Sequence, residues 1–164
     1  MTTILRIVAI LALLALALIV WAAAFAVAAT MAPLPIDVGA IVGADNLEVI
    51  KSVSWPEVVL WGGAGLFFLI SSIRLMRRTQ AWFMWFMGFA CLVGRWVLGQ
   101  GGVEQAVSAV QGVDVGAYLK PEDLLGDVTA PEVQVGRFGV LLLLGLIVLI
   151  VDLADRAHWK REEG

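Results

Sequence analysis

Four long apolar stretches, roughly Ile4 to Met31, Val58 to Ile73, Ala81 to Leu98 and Phe138 to Val151, alternate with five polar segments. With its flanks, each stretch is long enough to cross a hydrocarbon core as a helix, which at about 1.5 Å of rise per residue needs roughly 20 residues. The pattern predicts an all-α integral membrane protein with four transmembrane helices, and one bundle, residues 1–164, as the whole architecture. The first stretch has a basic start at Arg6, as a secretory signal does. Its apolar run from Ile7 to Ala29 nevertheless exceeds the 7 to 15 residues of a signal h-region, so a retained helix is expected.

A second, shorter pattern lies in the polar segment after the third stretch. Val103, Ala106, Val107 and Val110 recur at helical spacing, with Glu104, Gln105, Ser108 and Gln111 opposite, which predicts a short amphipathic helix on the membrane surface or capping the bundle. Gly99, Gly101 and Gly102 mark the turn before it. Pro121, the acids Glu122 and Asp123, and Gly126 predict one or two further helical turns.

Charge orients the helices. Alternating the polar segments between two sides groups seven of the 11 Lys and Arg residues, namely Arg6, Arg74, Arg77, Arg78, Arg156, Lys160 and Arg161, against Lys51, Lys120 and Arg137. The positive-inside rule then predicts both termini and the 74–80 loop in the cytoplasm of a bacterial plasma membrane. Ten of the 14 carboxylates fall in or beside the two outer segments, an acidic face unsuited to nucleic acid, which requires clustered Lys and Arg. The composition agrees: 61% of residues are hydrophobic and 15% charged, with a mean hydropathy of +0.94.

The two outer segments resemble each other. Ile36-Asp37-Val38-Gly39-Ala40 recurs as Val113-Asp114-Val115-Gly116-Ala117, and Trp61-Gly62 recurs at the same offset as Phe138-Gly139. Two helical hairpins with short extracytoplasmic helices, half-repeats 1–78 and 79–164, would form a parallel tandem repeat. Chance recurrence in a chain rich in Ala, Gly and Val is the competing explanation. Asp37, flanked by Ile36 and Ile41, and Asp114, flanked by Val113 and Tyr118, fit helix N-caps with hydrophobic staples. Convergence of the two aspartates on a cation is the functional alternative, but no spaced Ca²⁺ loop accompanies them.

One basic residue escapes the orientation pattern. Arg95 lies inside the third stretch, about four residues from its outer end, or roughly 6 Å at 1.5 Å per residue. Ala81, Met84, Gly88, Cys91 and Arg95 share one face of that helix, and the small residues on it predict a face turned to the bundle interior. An intramembrane charge needs a partner or a snorkelling route, and Glu57, at the outer start of the second helix, is the expected partner. Trp82, Phe86, Phe89, Val93 and Trp96 form the opposite, large face, whose inner end with Trp82 and Trp85 suits an interfacial aromatic belt. That face offers a partner-binding surface or contact to an apolar cofactor held with a partner; core or lipid contact is the simpler reading. Packing surfaces elsewhere are expected at Ala22, Ala26 and Ala29 and at Gly62, Gly63 and Gly65.

The chemistry present is sparse. His158 is the one histidine and Cys91 the one cysteine, so a bis-His haem, a His-based zinc site and a Ser-His-Asp triad each lack partners. Asp152, Asp155 and His158 form the one cluster that suggests a lipid-modifying enzyme, but Asp152 and Arg156 are more simply an i, i+4 pair. The expectation is therefore a small non-catalytic subunit or assembly factor of a larger membrane complex, whose partners are the lipid bilayer and other membrane subunits. The alternative is a small membrane subunit of a secondary transporter, with Arg95 beside an anionic substrate route.

Overall fold

A computed structural model of the chain describes residues 2–31, 53–111 and 131–162, with side chains in the last helix from 136 to 155 and at 157. The described residues form five helices: α1 (Thr2–Met31), α2 (Trp55–Met76), α3 (Trp82–Gly99), α4 (Val103–Gln111) and α5 (Pro131–Glu162). All but α4 are long and apolar enough to cross a membrane. Asp37, Asp114, the recurring segments around them and the 121–126 turn lie outside the described residues.

Consecutive long helices run antiparallel. Ser72 Oγ reaches the carbonyl of Ile10 at 3.5 Å, while Trp21 Nε1 donates to the Gly62 carbonyl at 3.1 Å. Farther along α1, Val27 packs with Val53 and Val58. The start of α1, the α2–α3 turn and the end of α5 thus share one end of the bundle. Arg6 pairs with Asp155 there, and Asp152 meets Ala81.

Local sequence explains the helix ends. At the start of α2, Pro56 occupies the first turn, and Glu57 Oε1 accepts from both the N–H (3.1 Å) and the hydroxyl (2.9 Å) of Ser54. At its end Arg78 takes the left-handed conformation (φ 55°), and the Thr79 N–H returns to the Arg74 carbonyl at 2.9 Å. The α3–α4 turn depends on Gly101 (φ 86°) and Gly102 (φ 137°), backbone angles at which a side chain would be strained.

Ala9, Leu13, Ala17, Val20, Ala24 and Val27 form the buried stripe of α1 at helical spacing. Of the small surface expected there, Ala29 is buried but Ala22 faces outward. Ala9, Leu13, Ala17 and Val20 of the stripe join Phe68 and Leu75 of α2, Trp85 of α3, and Val148 and Val151 of α5 in one core, while Val27 belongs to the separate cluster with Val53 and Val58. Glycines let large rings in. A Cβ on Gly65 would fall 2.4 Å from Trp21, one on Gly88 2.8 Å from Phe68, and one on Gly145 2.2 Å from Trp85. Trp85 is only 4% exposed, so it is a core residue and not a member of an interfacial belt. Gly145, on a helix distant in sequence, supplies the space for it.

Candidate functional site

Arg95 and Glu57 meet at the end of the bundle opposite the α2–α3 turn. Glu57 stands in the first turn of α2 and Arg95 in the last turns of α3, so antiparallel packing brings them to one level. Arg95 Nε lies 3.5 Å from Glu57 Oε2. That distance describes an ion pair and not a short hydrogen bond. The carboxylate divides its work: Oε1 holds Ser54 and Oε2 faces the arginine.

Trp61 completes the site. It follows Glu57 by one helical turn and therefore shares its face, and the guanidinium carbon of Arg95 stands 3.9 Å from the Trp61 ring centroid. The indole face attracts the cation while shielding it from the hydrocarbon. The seam beneath is made of small residues. A Cβ on Gly94 would stand 3.8 Å from Leu60, one on Gly63 3.8 Å from Cys91 Sγ, and one on Gly99 3.4 Å from Glu57 Oε2. A methyl group at each would meet only ordinary van der Waals contact, so the seam is close but does not require glycine at these three positions.

The aromatic residues of α3 divide between two uses. Trp82 stacks on Phe86 (centroids 5.7 Å apart), and Phe86 is 44% exposed on the outer surface. Phe89 turns inward, stacking on Trp85 at 5.4 Å and meeting the edge of Phe138 at 5.9 Å. Trp96 reaches the same Phe138 at 5.7 Å, so Phe89 and Trp96 tie α3 to α5. Of the expected partner-binding face, Trp82 and Phe86 stay beside each other near the surface, while Phe89 belongs to the interhelical packing.

At the other end, Asp152 Oδ2 accepts the backbone N–H groups of Ala81 and Trp82, each at 2.8 Å, and Asp155 takes Arg6. Asp152 and Asp155 thus each make an interhelical contact, while the His158 side chain lies outside the described residues. In the sequence, Trp61 and Phe138 stand out only as matched repeat positions, not as partners of Arg95 or of Phe89 and Trp96, and the Arg6–Asp155 pair is not among the expectations. For Trp61 a signal existed, because it lies four residues after Glu57 on the face required by Arg95. The arrangement can neutralise and orient charge at both ends of the bundle. Among the described residues no three His, Cys, Asp or Glu side chains stand close enough together to hold a metal ion.

Compared with protein-family models, with curated proteins and with solved structures, the chain matches none.

Proposed function

We propose that this chain is a small, non-catalytic subunit or assembly factor of a larger complex in a bacterial plasma membrane, with both termini in the cytoplasm. The observation that carries the reading is the closure of Arg95 on Glu57 and Trp61 at the α2–α3 seam. A charge inside a membrane bundle serves translocation when it faces a solute path. Here its contacts among the described residues are a carboxylate and an indole, a pairing that supports fixed helix geometry and weighs against the transporter reading. Large apolar side chains on the exposed surfaces of α3 and α5, among them Phe83, Phe86, Leu143 and Leu146, provide faces for lipid and for neighbouring helices.

The orientation rests on basic residues. Arg6, Arg74, Arg77 and Arg78 share the end of the bundle at which α5 finishes with Arg156, Lys160 and Arg161. In a Cys91→Ala background, a membrane-impermeant maleimide applied to intact cells should label Gln105→Cys and spare Thr79→Cys; the reverse labelling would invert the topology. The functional reading is tested by purifying the tagged full chain from its own membrane in mild detergent. Co-elution with other membrane proteins at fixed stoichiometry is expected. A lone, colourless monomer would overturn the proposal.

A further inference from the structure

The end of α2 holds a cleft of about 380 Å³ lined by Ile70, Ile73, Arg74, Arg77 and Thr79. Its composition changes along the helix axis. Ile70 and Ile73 belong to the apolar span, whereas Arg74 and Arg77 lie at its last turn and cap. Such a cleft is apolar at acyl-chain depth and cationic at headgroup depth.

No carboxylate among the described residues pairs with the arginines of the α2–α3 turn. Among the described residues the ion pairs are Arg6–Asp155 and Arg95–Glu57, so Arg74, Arg77 and Arg78 form none. Of the described acids at this end, Asp155 holds Arg6 and Asp152 holds the N–H groups of Ala81 and Trp82. Arg74 is also held in place, because its Nη1 donates to the Gln80 carbonyl at 3.0 Å; among the described residues its other N–H groups make no further side-chain pairing. Thr79 adds no donor, since both its N–H (2.9 Å) and its hydroxyl (3.2 Å) turn back to the Arg74 carbonyl. Recognition therefore rests on guanidinium groups, whose planar forks suit phosphate oxygens.

We infer that this cleft binds the headgroup of an anionic phospholipid, with Arg74 and Arg77 on the phosphate and Ile70 and Ile73 against the first acyl carbons. A zwitterionic lipid fits less well, because its ammonium group would enter a cluster of guanidiniums. Basic pockets at the ends of transmembrane helices are suited to such headgroups, each basic side chain near the surface changing the affinity about fivefold.

Native mass spectrometry on the full chain in mild detergent tests the site with three probes: dioleoyl phosphatidylglycerol, dioleoyl phosphatidylcholine and inorganic phosphate. Phosphatidylglycerol should bind at least about fivefold better than phosphatidylcholine, and Arg77→Gln should reduce its binding about fivefold with unchanged thermal stability. Arg78→Gln, at the same end but outside the cleft lining, should lose clearly less binding than Arg77→Gln. Equal binding of the two lipids would overturn the inference, as would equal losses in Arg77→Gln and Arg78→Gln. Complete displacement of phosphatidylglycerol by equimolar inorganic phosphate would assign the cleft to free anions and overturn it too.

Discussion

The carboxylate of Asp152 lies 2.8 Å from the backbone N–H of Trp82, although 70 residues separate them. The same oxygen accepts the Ala81 N–H. The first turn of any helix leaves N–H groups without intrahelical acceptors, and Ala81 at the N-cap of α3 has no side-chain oxygen to offer. A carboxylate from α5 takes that role, with its negative charge at the positive end of the α3 dipole. The preceding carbonyls are met from α2, where Ser71 Oγ donates to Ala81 (3.1 Å) and Arg74 to Gln80 (3.0 Å). The α2–α3 turn is thereby fastened to two helices at once.

Removing that carboxylate should be costly. Asp152 is 4% exposed, so Asp152→Ala strands two backbone donors in a site that water does not readily reach. A loss of about 2 kcal/mol is expected, the upper range for a helix cap. Asp152→Asn keeps an acceptor oxygen and loses only the charge, so about half that loss should follow. Equilibrium unfolding in mixed micelles, followed by tryptophan fluorescence, measures both. Equal stability of the alanine variant and wild type would show that the cap contributes nothing.

The ion pair at the opposite end predicts non-additivity. Arg95→Leu leaves the buried Glu57 carboxylate without its counter-charge and should lose about 3 kcal/mol while the protein still inserts. Glu57→Gln keeps an oxygen for Ser54 but leaves the guanidinium with Trp61 alone. The double variant should lose less than the two single losses combined, by about 1–3 kcal/mol. A strictly additive cycle would mean that the charges do not act as a pair.

The residues show what was legible in the chain and what was not. Arg95 and Glu57 were legible because a charge in an apolar span needs an opposite charge at the same depth, and antiparallel helices make depth readable. The α4 helix was legible from valine spacing. Helix α5 runs from Pro131 to Glu162, well beyond Phe138 to Val151, because hydropathy marks only the part of a helix that suits hydrocarbon. The rotation of α1 was not legible: a helix apolar on every side has no polar face to fix its outward direction, and Ala22 was assigned inward for that reason. Depth alone placed Trp85 in an aromatic belt, whereas the space at Gly145 draws it into the core. The i, i+4 spacing of Asp152 and Arg156 gave no sign of the cap that Asp152 supplies to α3, because local spacing cannot reveal a contact with another helix; the Arg156 side chain lies outside the described residues.

The short helix α4 should lie in the membrane interface. Ala106 is 3% exposed against the bundle, while Val103, Val107 and Val110 are exposed along one side. Three residues separate α4 from the end of the α3 span, so those valines sit near headgroup depth. A spin label at Val107→Cys in nanodiscs should be more accessible to oxygen than to a water-soluble nickel chelate, and a label at Ser108→Cys should show the opposite preference. Equal accessibility at the two positions would place α4 in water.

The glycines of α2 and α5 predict a graded series. Gly62 has nothing within 4 Å of its absent Cβ, so Gly62→Ala meets open space and should gain up to about 1 kcal/mol from helix propensity. Gly65→Ala would press on Trp21, a partly exposed ring that can withdraw only by giving up its hydrogen bond to the Gly62 carbonyl. A loss of about 1 kcal/mol is expected there. Gly145→Ala would press on Trp85, which is enclosed by the core and stacked on Phe89, so the loss should approach about 3 kcal/mol. Unfolding in mixed micelles should therefore rank the variants Gly62→Ala, Gly65→Ala, Gly145→Ala in decreasing stability. If Gly145→Ala matched wild type, Trp85 would have room to move, and the close packing of α3 on α5 through Trp85 would no longer explain its burial.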